Sequence, residues 1–250
     1  MSYGLYISAE GAHAQATRME VITHNLANVD TVGFKRELAV VQSRYAEAVE
    51  QGAVPPESGN IEDLGGGVFI RESQTDFSPG PVRRTGVPTD VAITGKGFFA
   101  VERHNETLLT RAGNFQLDSR GQLVTQQGYP VLSDTGAPIY LLPENGPATI
   151  SEEGIISQRG HVQRLGLVQP NSPHELVRIG ENLFRPSSTP EVVPDEDRHF
   201  ASEHLEQSSV EPTTAMVAMI EASRILEMNI NMMKSQDQLT SSLVNRVLRV

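Results

Sequence analysis

Cysteine and tryptophan are both missing from this 250-residue chain. The first absence excludes disulfides and thiolate metal sites. The second, with Phe and Tyr making up only 5 % of residues, argues against one large, dense core. A modest core is expected, supplemented by segments that bury apolar faces against other chains. Hydrophobic residues are 38 % of the total, below the usual share for a globular domain. Positive charge is also scarce: 20 Lys and Arg stand against 31 Asp and Glu, for a net charge of -11. Such a surface repels phosphates, and no local run of Lys or Arg offsets it, so nucleic acid is not expected as a partner. No stretch approaches the roughly 20 apolar residues of a membrane-spanning helix. The start, Met1-Ser2-Tyr3-Gly4-Leu5-Tyr6, lacks the basic residues and apolar run of a cleavable secretory signal. The chain is therefore expected to stay in the cytoplasm or to leave it by a route that needs no such signal.

Chemical motifs are equally thin. Gly95-Lys96-Gly97 hints at a phosphate loop, but the spacing puts Asp90 where the first glycine belongs and no Ser or Thr follows Lys96. A turn before the apolar run Phe98 to Val101 is the simpler reading. The seven histidines are scattered, without the i,i+4 pairing of a helical metal site. His13 and His24 fall on the first helix, His161 and His174 in the central region, and all read as structural or solvent-facing. No Gly-x-Ser-x-Gly nucleophile elbow occurs. No catalytic residue, cofactor, metal or small-molecule substrate is assigned, and an enzyme is not expected.

What the chain does have is periodicity at its two ends. From about Tyr3 to Ala27, Leu5, Ala12, Met19 and Leu26 recur every seven residues, with Ala9, Ala16 and Thr23 as companions. This is the a/d seam of a narrow helix-helix contact, built from small residues that permit close approach. Asn25 and Asn28 mark its end, and Gly33 follows in a turn. From about Pro212 to Val247 a longer helix is expected. Pro212 suits its first position, and Met219, Leu226, Met233, Thr240 and Val247 are spaced by seven. Met216, Ser223, Ile230, Asp237 and Val244 form the second seam, weakened by Asp237 and Thr240. Arg246 and Arg249 complement the negative end of the helix dipole.

Between these helices, Gly and Pro punctuate short apolar runs: Asp90-Val91-Ala92-Ile93, Gly97-Phe98-Phe99-Ala100-Val101 and Gln122-Leu123-Val124. They read as strands joined by tight turns, with Gly121 and Gly154 supplying positive φ. Gln51 to Gly67, with Pro55-Pro56, and the acidic, Pro-containing stretch from Pro186 to Asp197 read as exposed connections. The expected fold class is α+β: terminal heptad helices pairing as a coiled coil, and a central all-β domain of short antiparallel strands. The expected boundaries are 1–35 for the N-terminal helix, 36–67 for a linker region, 68–198 for the β-rich domain and 199–250 for the C-terminal helix segment. Assembly contacts are expected at Leu5, Ala12, Met19, Leu26, Met219, Leu226, Ile230, Met233 and Val247. Glu206 reads as a surface position.

Several stretches resemble one known family. His24-Asn25-Leu26-Ala27-Asn28-Val29-Asp30-Thr31-Val32-Gly33-Phe34-Lys35 is similar to the N-terminal signature of flagellar basal-body rod and hook proteins. Asn25, Leu26, Ala27, Asn28, Gly33 and Phe34 carry that signature. Pro88 to Phe99, Thr110-Arg111-Ala112-Gly113-Asn114-Phe115, Gly121-Gln122-Leu123-Val124 and Gly128-Tyr129-Pro130-Val131 resemble the family's β-domain. Leu205 to Val210 and Met216 to Ala222 resemble its C-terminal segment. The stretches follow the family's order over nearly the whole chain and lean toward its proximal and distal rod members, the FlgF and FlgG types, without separating them. Glu211 stands where the family usually has Asn before the helix-starting proline, and Ser208 where it often has Gly. The resemblance implies a self-assembling subunit of the helical tube that carries torque from motor to hook. Its partners would be copies of itself, other rod and hook proteins and the flagellar type III export apparatus, and its place the periplasmic rod of the basal body, reached without a cleavable signal. The competing reading is a soluble β-domain adaptor, or chaperone-like module, docking one partner through its terminal helices.

Overall fold

The computed structural model describes residues 3–44, 67–142, 146 and 148–247. The chain is α+β and divides into two compact units. One comprises Met1–Ala27, Glu37–Asp76 and Glu211–Val250; the other comprises Asn28–Arg36 and Phe77–Val210.

The first unit holds helix α1 (Tyr3–Ala27), helix α2 (Pro212–Val247) and an antiparallel hairpin of β1 (Glu37–Arg44) and β2 (Gly67–Thr75). Proline at the start of α2 has its φ already near the helical value and sacrifices no intrahelical hydrogen bond. Glu211, just before it, accepts a 2.8 Å hydrogen bond from the Thr214 hydroxyl. The helices run antiparallel, with Gly4 against Gln236 and Gly11 against Asn229. The hairpin packs on α1, and a Cβ placed on Gly67 would lie 3.5 Å from the Cβ of Glu10. Strand β1 occupies residues expected to be linker. Leu38, Val40 and Val41 favour extended backbone there, and a bulge between Ala39 and Val41 adjusts the pairing. The Pro55-Pro56 stretch lies outside the described residues.

The second unit is the β-domain. Its largest sheet has six strands in the order Leu176–Gly180, Leu183–Pro186, Glu106–Thr110, Phe98–Arg103, Leu167–Gln169 and Glu191–Val192, with antiparallel neighbours. The central hairpin turns through His104 and Asn105, both at positive φ (52° and 61°), as a two-residue connection between twisted strands requires. The expected turns at Gly121 and Gly154 are present. Phe99 lies at the middle of the core, edge-on to Phe115 (5.0 Å) and stacked on Phe200 (6.0 Å). Val91, Val101, Leu123, Val131, Ile139, Leu165 and Leu167 surround it, all fully buried. A second cluster joins Phe98, Leu109 and Phe184 with Phe77.

Residues 186–197 are largely exposed, as expected of a connection, with one anchor: Glu191–Val192 joins the large sheet, and Val193 is buried with its N–H bonded to the Leu167 carbonyl. One segment differs from the sequence expectation. Residues 200–206, expected in the C-terminal helix segment, are strands. Phe200–Ser202 pairs with Val91–Ile93, and His204–Glu206 with Val82–Arg84. Phe200 supplies the reason, because a phenylalanine can be buried only by the core it returns to.

Candidate functional site

Two features carry chemistry beyond packing: the helical surfaces of the first unit, and a buried charge cluster in the second.

On α1, Ala12 is buried, and Leu5, Met19 and Leu26 are half-buried. Met19 and Ala27 also line an open groove with Ala16, Glu20, Thr23 and His24. On α2, Met219, Leu226, Ile230 and Met233 are half-buried, while the side chain of Val247 lies outside the described residues. The contact line with α1 includes positions just before the second heptad seam. Ala222 is completely buried, and Asn229 and Gln236 meet the two glycines of α1. Met216, one position beyond Ala215, is 52 % exposed. A side chain at Gly4 would place its Cβ 2.9 Å from the Gln236 amide nitrogen, the mobile end of a side chain that can swing aside.

Helix α1 has 25 residues and α2 has 36, about 37 and 54 Å at 1.5 Å per residue. Gly4, in the first turn of α1, meets Gln236, so α2 runs on past the described part of α1. On that overhang Leu239, Leu243 and Val244 are 63 %, 62 % and 50 % exposed. Closer to its start, Val217, Ile220 and Met228 are also more than half exposed. Leu239 and Leu243, one turn apart, share a face of the helix, and apolar side chains grouped on one face open to water suit a partner surface.

The expected family signature leads from the first unit into the second. Asn25 is buried. Its amide donates to the Glu37 carbonyl (2.7 Å) and accepts from the Glu37 N–H (2.8 Å), tying the end of α1 to the start of β1. Leu26 is half-buried and Ala27 exposed. Asn28 caps the following turn by accepting from the Thr31 hydroxyl at 3.2 Å. Gly33 has φ +64°, and a Cβ there would lie 2.5 Å from the Arg111 carbonyl. Phe34 is 3 % exposed, with the Arg178 guanidinium 4.7 Å above its ring.

The next residue, Lys35, is fully buried. Its ammonium donates to Glu206 Oε1 at 2.6 Å and to the Ser78 carbonyl at 2.8 Å. Glu206 Oε1 also accepts the Gly80 N–H at 2.8 Å, and Oε2 accepts from Arg111 Nη1 at 3.3 Å. Burial lowers the pKa of the Arg111 guanidinium from its usual value, and the Glu206 charge pushes it back up. Glu206 is 1 % exposed, which overturns its reading as a surface position. A glutamate ending a short strand looks like solvent-facing polarity until its partners are brought in. One signal did exist. Lys35, Arg111 and Glu206 each lie in a different stretch that carried the family resemblance, and the fold brings those stretches together at one carboxylate.

Three families match in chain order. Residues 5–35 match the flagella basal body rod protein family. Residues 92–158 match the flagellar hook protein FlgE/F/G D1 domain. Residues 201–246 match the flagellar basal body rod FlgEFG protein C-terminal family. The flagellar basal-body rod protein FlgF of Caulobacter vibrioides is 32 % identical over 255 aligned positions, covering 100 % of both chains. The FlgG protein of Borreliella burgdorferi is 33 % identical, covering 96 % of each. That of Bacillus subtilis is 30 % identical, covering 98 % of this chain and 99 % of its own.

Proposed function

This chain belongs to the flagellar basal-body rod protein family and is a structural subunit of the rod; accordingly, we propose that α1 and α2 are its assembly surfaces, pairing as a coiled coil and joining copies of this chain and other rod and hook proteins into a helical tube that transmits torque. The observation that supports this is the overhang of α2, where Leu239, Leu243 and Val244 face water with no described α1 residue opposite. A helix from another subunit covers these apolar side chains. A contact between unlike surfaces that does not close on itself propagates as a helical filament. The subunit leaves the cytoplasm through the flagellar type III export apparatus and works in the periplasmic rod. The adaptor reading draws no support, since the relatives across the full length are rod proteins.

The test is a strain whose only copy carries Leu239→Asp with Leu243→Asp. Both positions are exposed, so the purified monomer should keep its stability within about 0.5 kcal/mol. Electron microscopy of isolated basal bodies should show the rod interrupted, with the exported subunit recovered unassembled. Complete rods would remove this surface from the assembly.

A further inference from the structure

The charge cluster lies wholly within the second unit. Two cations, Lys35 and Arg111, share one carboxylate, with side-chain exposures of 0 %, 7 % and 1 % for Lys35, Arg111 and Glu206. Backbone takes up further donors: the Ser78 carbonyl accepts from Lys35, and the Gly95 carbonyl accepts from Arg111 Nη2 at 2.9 Å. Around the cluster, the chain coming from α1 lies beside the chain going to α2. The Gly33 N–H donates to the Glu206 carbonyl (2.7 Å), the Ser209 N–H to the Phe34 carbonyl (3.0 Å) and the Arg36 N–H to the Ser209 hydroxyl (2.9 Å). The Asn182 amide holds the Val32 carbonyl at 2.8 Å, and Arg178 donates to the Lys35 carbonyl.

We propose that Lys35 and Glu206 form a charge latch that seats residues 28–36 against residues 206–209, with Arg111 keeping the carboxylate paired whenever the latch is open. The charges make the device asymmetric. When Lys35 withdraws, its ammonium reaches water and a neutral Glu206–Arg111 pair stays behind. The seat can therefore open without leaving a lone buried charge, whose cost would otherwise unfold the domain. Loss of the Glu206 charge is different, because it leaves two buried cations without their shared carboxylate. Local opening of one segment over an intact core is the behaviour of a separable folding unit. The latch also clasps the two chain connections together at one point. This inference stands on the geometry of the β-domain alone and does not depend on how the helices assemble.

Hydrogen exchange on purified full-length chains tests it. In Lys35→Met, the Gly33 and Ser209 amides should exchange faster by about tenfold or more, the scale of one charge-assisted hydrogen bond. The amides of Phe99 and Leu109 in the core should keep their wild-type rates. In Glu206→Gln, the core amides should accelerate as well, or the domain should fail to fold. Unchanged exchange at Gly33 and Ser209 in Lys35→Met overturns the latch. So does acceleration of the core in step with the seat, which would make Lys35 an ordinary core residue. If Glu206→Gln is no worse than Lys35→Met, the charge asymmetry is absent and the proposal fails.

Discussion

Among single residues, Gly33 shows how a short signature can encode a fold constraint. Its φ of +64° lies in the left-handed region, and the space a Cβ would fill is taken by the Arg111 backbone. Gly86 separates the two effects. Its φ is +74°, and no described atom lies within 4 Å of the position a Cβ would occupy. Gly86→Ala should therefore cost only the backbone strain, about 1 kcal/mol. Gly33→Ala adds a collision with backbone that cannot swing away, and should cost more than about 2 kcal/mol. Denaturant titration of the two variants reads the difference directly. Equal midpoints would mean that the segment at Gly33 shifts freely, despite its hydrogen bond to Glu206 and the burial of Phe34. The neighbouring Lys35 and Glu206 show the opposite kind of encoding. Their burial is explained by the partners that folding brings to them: each other, and Arg111 and backbone groups besides.

Among the elements, the helix pair is set by what is small. Gly4 and Gly11 of α1 face Gln236 and Asn229 of α2, amides in place of large apolar groups, and Ala222 is completely buried. The Gln15 and Gln236 side-chain oxygens are buried without a hydrogen-bond partner among the described residues. Such a seam holds register more than it supplies stability. Ala222→Leu tests how tightly it is closed. Overpacking a fully buried alanine should cost about 2 kcal/mol. Limited proteolysis of the variant should cut α2 sooner than in wild type, while the β-domain fragment survives at its usual rate. An unchanged cleavage pattern would show that the helices separate without meeting resistance at this position. The hairpin of β1 and β2 belongs to the same unit, fastened to α1 by the two Asn25–Glu37 hydrogen bonds.

For the molecule as a whole, the β-domain is closed by chain that lies far away in sequence. Phe200 enters the core beside Phe99, Leu205 is buried, and Lys35 reaches Glu206 across 171 residues. A fragment of residues 66–198 omits Lys35, Phe200, Leu205 and Glu206 together. It should be unfolded or aggregated, whereas a fragment of residues 28–210 should unfold in one cooperative transition. Circular dichroism during thermal melting distinguishes them. If the shorter fragment melts cooperatively at the same temperature, the outer segments are additions to a domain already complete. Long-range closure of this kind carries a large loop entropy cost before its contacts form.

Elements whose signals are local could be read from the order of residues alone. Heptad spacing places both helices, Pro212 marks the start of the second, and Gly121 and Gly154 announce turns that the structure contains. The same spacing located the half-buried Met219, Leu226 and Met233, because one helix turn repeats at a known interval. Strand partners were not readable in this way. Nothing near Val91–Ile93 says that Phe200–Ser202 will lie beside it, and the chain expected to start the C-terminal helix segment instead buries Phe200, Leu205 and Glu206. Tertiary structure also chose which positions beside the heptad face α1, as Asn229 and Gln236 do. Above all it decided the burial of Lys35, Arg111 and Glu206. A charged side chain can leave water only when opposite charge and hydrogen-bond partners meet it, and those partners come from segments that only folding brings together.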